Sequence, residues 1–242
     1  MKAIVFEGCA CRAAFHAGVA LALHEGGMAF DLAAGASSGS ICAVAVAAGR
    51  TPELPEVWRS LGGRSIVSLR RALYNRSLFD MSHIVTSTLR ARLGDGDLRA
   101  HPGEGLIVVT RLRGLKTLFL STREEPDSVR ALLGSCFFPV LYGRHVRLNG
   151  ELVVDGGLTD NLPIEAVEAR GADEIIAVIS RADGRALKTP FRERWRPVGR
   201  RARVHVIHPR TPLQIRSWDL GADSINRAID EGHARGREFL GG

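Results

Sequence analysis

Residues 31–48 read DLAAGASSGSICAVAVAA, and this stretch decides the fold. Residues 31–36 have the apolar character of a buried strand, and residues 39–48 have that of a helix rich in alanine and valine. The junction, residues 35–39, matches the G-x-S-x-G pattern of a strand–turn–helix elbow that exposes a serine. The sequence therefore predicts Ser37 as a nucleophile.

The residues around this serine support that interpretation. Gly35 and Gly39 lack side chains, which would let the strand and the helix approach closely. The helix after Ser37 directs its first N–H groups and its positive dipole end toward the place where an oxyanion would form. Ser38 and Ser40 are predicted N-terminal helix residues or caps. The alternative is a loop rich in serine and glycine that merely begins a helix.

Only one strand–helix unit precedes the elbow. Residues 3–6 predict a buried strand and residues 13–25 a helix. An ordinary α/β-hydrolase has several strands before its nucleophile and a histidine late in the chain. A histidine-dependent esterase, with a triad ending at His205 or His208, is therefore the less favoured alternative.

Asp155 is the best candidate for a different base. It follows residues 152–154, which predict a short strand, and the sites of open α/β sheets gather at the carboxyl ends of strands. Gly156 and Gly157 would let the chain turn sharply and leave the carboxylate free. Because a carboxylate is a weak base in water, it would need direct contact with the hydroxyl and partial desolvation. The alternative is an ordinary Asp-Gly turn.

The turn between the first strand and helix, residues 8–13, reads GCACRA. The backbone around Gly8, Cys9, Ala10 and Arg12 is a candidate oxyanion hole, since a loop at a helix N-terminus presents N–H donors. A dinucleotide-binding loop is the competing interpretation. It fails because alanine replaces the second and third glycines of G-x-G-x-x-G.

Apolar runs alternate with helical patterns along the whole chain, which predicts an α/β fold with a largely parallel sheet in a single domain over residues 1–242. Further predicted helices cover residues 52–61, 126–133, 163–170 and 222–240. Further predicted strands cover residues 106–112, 116–122, 174–179 and 203–207. We also expect an irregular segment over 62–80, a helix over 81–93 and a Pro- and Arg-rich connector over 182–201.

The chain carries a formal net charge of +7. Arginine supplies nearly all of the basic residues and is spread along the sequence, which indicates compositional bias rather than nucleic-acid binding. The densest cluster, residues 192–203, contains Trp195 and is a candidate for transient contact with a membrane surface. A solvated loop is the alternative interpretation, and we expect most histidines to be surface or locally bonded residues.

The four cysteines, at positions 9, 11, 42 and 136, lack the spacing of a disulfide framework or a metal site. We therefore expect free thiols, no metal and a reducing compartment. The opening apolar run is too short for a signal peptide, and no stretch has the length of a membrane span. These features predict a soluble, cytoplasmic protein that could lie peripheral to a membrane.

Three motifs, in this order, resemble those of the bacterial patatin-like phospholipases. They are the turn at residues 8–13 with Arg12 as its basic residue, the elbow at residues 35–39, and the Asp-Gly-Gly at residues 155–157. The sequence FHAGV after the turn is also similar. The resemblance extends from the first residue to about Val178.

The resemblance implies a three-layer fold in which helices flank a largely parallel sheet. It also implies a Ser–Asp dyad of Ser37 and Asp155, with the first turn as oxyanion hole, that cleaves phospholipid or other lipid acyl esters through an acyl-enzyme without metal or cofactor. The family usually has three glycines at residues 8–10 and another at Ala13. Side chains at a position of positive φ would add strain there. A catalytically silent lipid-binding or regulatory protein of the same fold is therefore the alternative.

Overall fold

A computed structural model describes residues 1–60, 98–137, 146–190 and 194–242. The predicted irregular segment over 62–80 and the predicted helix over 81–93 lie outside these ranges. The strands are β1 (Lys2–Phe6), β2 (Leu32–Ala36), β3 (Glu104–Arg111), β4 (Lys116–Ser121), β5 (Val146–Leu148), β6 (Glu151–Asp155), β7 (Glu174–Val178), β8 (Ala186–Leu187), β9 (Arg194–Trp195) and β10 (Arg203–Ile207). The helices are α1 (Ala13–Glu25), α2 (Ser38–Ala47), α3 (Leu54–Arg59), α4 (Ser128–Ser135), α5 (Ile164–Ala169) and α6 (Ala222–Gly241).

The main sheet has eight strands in the order β10-β7-β1-β2-β3-β6-β5, and β4 also pairs with β3. The five strands from β10 to β3 are parallel, whereas β4, β5 and β6 add antiparallel pairings. The predicted α/β class with a largely parallel sheet is confirmed. The predicted strands over 106–112 and 116–122 are present as β3 and β4, which form an antiparallel hairpin around residues 113–115.

Helices cover both faces of this sheet, as the alternation of side chains along β1 shows. Ile4 and Phe6 belong to a buried cluster with α1, α2 and α6, whereas Ala3 and Val5 belong to a second cluster with α5. Strands buried on both faces have continuous apolar sequences, which explains the uninterrupted run in β1. The three-layer arrangement is confirmed.

Helix α6 packs closely against α1 through glycines. A Cβ atom at Gly18 would lie 2.0 Å from the carbonyl oxygen of Ile229, and one at Gly232 would lie 2.0 Å from the carbonyl oxygen of Phe15. The C-terminal helix therefore belongs to the same layer as the first helix. The assignment of all 242 residues to one domain remains a prediction.

The connector at 182–201 contains more structure than the sequence predicted. Strands β8 and β9 form a separate two-stranded antiparallel sheet within it. In the described part of the chain, no helix has the length and apolar character needed to cross a membrane.

Candidate active site

Ser37 lies between β2 and α2 in a strained backbone conformation, with φ 51° and ψ −130°. The predicted elbow is therefore present, and its glycines are sterically required. A Cβ at Gly35 would lie 2.4 Å from the carbonyl carbon of Gly39, and a Cβ at Gly39 would lie 2.5 Å from the carbonyl oxygen of Phe6. Strand and helix can approach this closely only without side chains at both positions.

Ser135 holds the strained residue in place. The N–H of Ser37 donates to Ser135 Oγ at 2.9 Å, and this hydroxyl donates to the carbonyl oxygen of Val108 at 2.6 Å. The sequence did not indicate this role, because Ser135 is 98 residues from Ser37 and lies just beyond the helix predicted over residues 126–133. The hydroxyl satisfies an N–H group that the sharp turn removes from regular pairing.

Ser37 and Asp155 are in direct contact. Ser37 Oγ donates to Asp155 Oδ2 at 2.7 Å, and the other carboxylate oxygen accepts a hydrogen bond from the N–H of Gly157 at 2.8 Å. Asp155 is only 6% exposed. Burial raises the pKa of its carboxyl to about 6, although the hydrogen bonds from Ser37 and Gly157 oppose the shift. The site thus contains a carboxylate of increased proton affinity against a serine hydroxyl.

Asp155 reaches Ser37 by a different route from the one expected of a parallel sheet. Strand β6 is antiparallel to β3, with Asp155 opposite Val109, while Ala36 at the end of β2 is opposite Val108. Because β4 occupies the other side of β3 along residues 106–111, β2 and β6 share one side of β3. Their carboxyl ends therefore face each other, which brings the two side chains together.

The glycines after Asp155 make this approach possible. A Cβ at Gly156 would lie 2.1 Å from the carbonyl oxygen of Val108, and a Cβ at Gly157 would lie 2.6 Å from Asn161 Oδ1. Thr110 Oγ1 also donates to the carbonyl oxygen of Asp155 at 2.8 Å. The Asp-Gly-Gly segment is thus fixed tightly against β3.

The first turn offers fewer free N–H groups than expected. Gly8 N–H donates to the Asn161 carbonyl at 3.1 Å, and Arg12 N–H donates to the Cys9 carbonyl at 3.3 Å. Cys9 N–H donates to Ser38 Oγ at 3.2 Å. Within the described ranges, no acceptor takes a hydrogen bond from Ala10 N–H. The candidate oxyanion donors in this turn are therefore narrowed from four residues to one.

Ala10 has φ 55°, in the region that favours glycine, whereas Cys9 has φ −149°. The strain expected from the loss of glycines in this turn is therefore present at Ala10. Cys9 and Gly8 require no such conformation.

Asn161 is a site residue that the sequence analysis missed. Its Nδ2 donates to the Gly8 carbonyl at 3.0 Å, while its own N–H donates to the Lys188 carbonyl at 2.7 Å. Asn161 thus links the first turn, the segment after Asp155 and the connector. Its position six residues after Asp155, shortly before Pro163, was the available signal.

Ser37 and Asp155 open into a cavity of about 230 Å³, here called the Ser37 cavity. Its walls include the first turn and two residues of the connector, Leu187 and Pro190. Among the described residues that line it, none is a histidine. The geometry does not favour a histidine-dependent esterase.

His205 and His208, the two candidate catalytic histidines, lie elsewhere, as does His16. His205 is 3.9 Å from a Glu174 carboxylate oxygen, and His208 Nδ1 is 2.9 Å from the Pro209 carbonyl. His16 is not at the surface: it is fully buried, and its Nε2 lies 3.7 Å from Cys9 Sγ, a local contact. Burial, followed by the charge of Arg12, lowers the pKa of His16 to about 3.

The Arg-rich segment 192–203 is described from residue 194 onward, and this part differs from a basic and aromatic membrane patch in one respect. Trp195 packs against the buried cluster that contains Ala3, Val5 and residues of α5, rather than facing solvent. Arg194 approaches Asp183 at 3.4 Å, and Arg200 approaches Glu165 at 3.4 Å. Membrane contact through this segment remains a prediction that would rest on charge alone.

Comparisons with known proteins agree with this architecture. An uncharacterized NTE family protein of Mycobacterium tuberculosis is 28% identical over 163 residues, which are 67% of this chain and 44% of the relative. The 1-acylglycerol-3-phosphate O-acyltransferase Pnpla3 of Mus musculus is 28% identical over 170 residues, covering 66% of this chain and 40% of the relative. The chain thus spans less than half the length of these relatives.

A solved structure and a family model extend the comparison. VipD from Legionella pneumophila matches with a TM-score of 0.56 and 13% identity, over 99% of this chain and 66% of that chain, which shows likeness of fold. The family model described as patatin-like phospholipase matches residues 4–167, more than half of the chain. The chain therefore belongs to the patatin-like phospholipase family.

Proposed function

We propose that the protein hydrolyses acyl esters of lipids, with Ser37 as nucleophile and Asp155 as base. The observation that carries the proposal is the 2.7 Å hydrogen bond from Ser37 Oγ to Asp155 Oδ2 at a strained strand–helix elbow. A nucleophile in hydrogen-bond contact with a base is the arrangement that covalent catalysis requires. Membership of the patatin-like phospholipase family supports lipids as the substrate class.

In the acylation step, Ser37 Oγ attacks the ester carbonyl while its proton passes to Asp155. The bond from Oγ to the acyl carbon forms, and the carbonyl electrons move to oxygen. The tetrahedral intermediate then collapses, its bond to the alcohol oxygen breaks, and Asp155 returns the proton to the departing alcohol. The product is an acyl-enzyme on Ser37.

Deacylation repeats these steps with water. Asp155 accepts a proton as water attacks the acyl carbon, and the proton returns to Ser37 Oγ as the fatty acid leaves. An acyl-acceptor alcohol in place of water would give acyl transfer, the activity in the name of the mouse relative. We favour hydrolysis as the default, since the cavity is open to water.

We infer that Ala10 N–H and the first N–H groups of α2 stabilise the oxyanion. Ala10 lines the Ser37 cavity, and its N–H has no acceptor within the described part of the chain. Ser37 directly precedes α2, whose first N–H groups lack partners within the helix and carry its positive dipole end. Two such donors would meet the negative charge that develops on the carbonyl oxygen.

Hydrolysis of a monoacylglycerol by purified variants tests the dyad. We expect Ser37→Ala and Asp155→Asn each to lower kcat/KM by about a thousandfold or more, because the two groups act as a unit. Matched controls are Ser60→Ala, whose hydroxyl donates to the Val57 carbonyl, and Asp31→Asn, whose carboxylate accepts from Lys2 N–H. Full activity in either dyad variant, with both controls active, would contradict the proposal.

A catalytically silent lipid-binding protein is the second candidate. The observation in its favour is the engagement of the Gly8, Cys9 and Arg12 N–H groups by protein acceptors. It predicts co-sedimentation with lipid vesicles that is equal for the native chain and Ser37→Ala, together with no turnover by either. Turnover that depends on Ser37 excludes it.

A further inference from the structure

A second cavity, of about 740 Å³, adjoins the Ser37 cavity. Three residues line both cavities, which therefore lie side by side: Arg12, Ser217 and Trp218. The larger one, here called the arginine cavity, also has Arg181 and Arg216 in its lining. A single molecule could therefore occupy both spaces.

Positive charge predominates in the arginine cavity. Three arginines line it, and Asp183 is the one carboxylate among its described lining residues. Asp183 Oδ1 is 3.8 Å from Arg181 Nε, beyond hydrogen-bond distance, and it already accepts a hydrogen bond from Arg185 N–H at 3.0 Å. Its Oδ2 is shared with Arg194 at 3.4 Å. Asp183 thus neutralises only part of the positive charge of the three arginines.

Two of these arginines have buried donors without acceptors. Within the described ranges, neither Arg12 Nε nor Arg181 Nε has a hydrogen-bond partner, although both atoms are buried. A buried donor that lacks an acceptor costs free energy, which an incoming anion would recover. Arg216 is exposed, and within the described ranges its guanidinium has no ion pair within 4 Å. The pKa of Asp219 is lowered by hydrogen bonds from Gly221 and Ser224 and, to a smaller extent, by the charges of Arg216 and Arg227.

Guanidinium groups suit phosphate, because several N–H donors match its oxygens and more than one arginine can bind the same group. The shared lining residues place such an anion beside the position of an ester bound to Ser37. Trp218, 58% exposed, offers an apolar surface for the carbon atoms between the two groups. A free phosphate would use the arginines but would make no contact in the adjoining Ser37 cavity.

We propose that the arginine cavity binds the phosphate monoester of the substrate, so that the preferred substrates are acyl esters with a nearby phosphate. This assignment rests on the proposed hydrolase function. It adds Arg181 and Arg216 as residues that determine specificity. Both lie beyond residues 4–167, the range that the family model matches.

The test compares 1-oleoyl-glycerol 3-phosphate with 1-oleoyl-glycerol, which differ only in the phosphate. The readout is the ratio of kcat/KM for the two substrates. We expect Arg181→Gln and Arg216→Gln each to lower this ratio about tenfold or more, since hydrogen bonds to a charged group are lost. The control is Arg147→Gln on β5, whose guanidinium donates to the Gly150 carbonyl and which should keep the native ratio.

A ratio unchanged in both cavity variants overturns the phosphate assignment and leaves the hydrolase proposal intact. Absence of Ser37-dependent turnover with either substrate contradicts the hydrolase proposal instead. In that case, calorimetry tests phosphate binding in the arginine cavity without relying on turnover. Glycerol 3-phosphate should bind the native chain and should bind Arg181→Gln about tenfold or more weakly.

Inorganic phosphate is the comparison ligand in the calorimetry. Binding of inorganic phosphate without binding of glycerol 3-phosphate would identify a site for the free ion and overturn the headgroup assignment. Binding of neither ligand would overturn it as well.

Discussion

The elbow and the first turn perform the same structural task with different residues. Each connects a parallel strand to a helix, and each holds one non-glycine residue at positive φ, with φ 51° at Ser37 and 55° at Ala10. At the elbow, the strained residue carries the hydroxyl that contacts Asp155, and glycines provide the room around it. In the first turn, the strained residue carries only a methyl group. At the elbow, the strained backbone thus positions a side chain that takes part in the proposed chemistry. In the first turn, the strained backbone positions no reactive side chain.

Buried carboxylates show the same contrast. Asp155 accepts one hydrogen bond from the nucleophile and one from Gly157 N–H. Glu7, next to the first turn, accepts from the N–H and the hydroxyl of Ser180 and from Leu187 N–H. Burial raises the pKa of both carboxyls. None of the hydrogen bonds that Glu7 accepts comes from a group of the proposed reaction. Asp155 Oδ2, by contrast, accepts from Ser37 Oγ, whose proton moves in that reaction.

The contact between the elbow and the end of β1 should give the largest effect on stability. We expect Gly39→Ala to destabilise the fold by about 3 kcal/mol or more, because the added methyl group would overlap backbone atoms, which cannot move aside as a side chain can. The new Cβ would lie 2.5 Å from the Phe6 carbonyl oxygen and 2.7 Å from that of Glu7. Urea unfolding measures the loss. Gly241→Ala is the control, since a Cβ there meets nothing within 4 Å.

Equal unfolding midpoints for the two glycine variants would show that the elbow tolerates a side chain. The close contact between the elbow and residues 6–7 would then not require glycine at position 39.

Replacing each buried carboxylate by its neutral amide should affect stability differently: Asp155→Asn should stabilise the fold at high pH, and Glu7→Gln should not. The folded-state pKa of Asp155 is about 6, raised from an ordinary value of 3.8. Its contribution to stability is therefore fully present below about pH 4 and is lost as pH rises through 6. At pH 8 we expect Asp155→Asn to be more stable than the native chain by up to about 3 kcal/mol.

Glu7→Gln should give no such gain, because its amide would place N–H donors against the donors of Ser180 or Leu187. Urea unfolding of the native chain and both variants at pH 4 and pH 8 separates these outcomes. Native ester hydrolysis should rise with pH through about 6 as Asp155 loses its proton. A stabilised Glu7→Gln, or an Asp155→Asn that loses stability at pH 8, would contradict the contrast.

The first turn should improve when its strain is removed. We expect Ala10→Gly to stabilise the fold by up to about 1 kcal/mol, because glycine adopts positive φ without steric cost. Ala13→Gly should have the opposite sign, since Ala13 has φ −67° and is fully buried. Thermal or urea unfolding of the pair measures both. Destabilisation in both variants would show that φ at Ala10 is not a source of strain.

The sequence identified the elbow because its signals are local. Strand, serine, flanking glycines and helix follow one another within residues 31–48, and the structure has them in that order. The alternation of apolar runs likewise predicted the parallel sheet. Asp155 was proposed as the base from the strand end and the two glycines that follow it.

The partners of the site were not predicted, because they are distant in the chain. Asn161 is 153 residues from Gly8, and Ser135 is 98 residues from Ser37. The end-to-end meeting of β2 and β6 depends on which side of β3 each strand occupies, which no local pattern encodes. The loss of free N–H groups in the first turn follows from these same long-range contacts.

The most direct measurement is labelling of the folded protein with a fluorophosphonate probe, followed by mass spectrometry to locate the adduct. The proposed dyad predicts an adduct on Ser37 in the native chain and its loss in Asp155→Asn. An adduct on Ser37 that forms equally well in Asp155→Asn, or no adduct on correctly folded native protein, would contradict an activated Ser37–Asp155 pair.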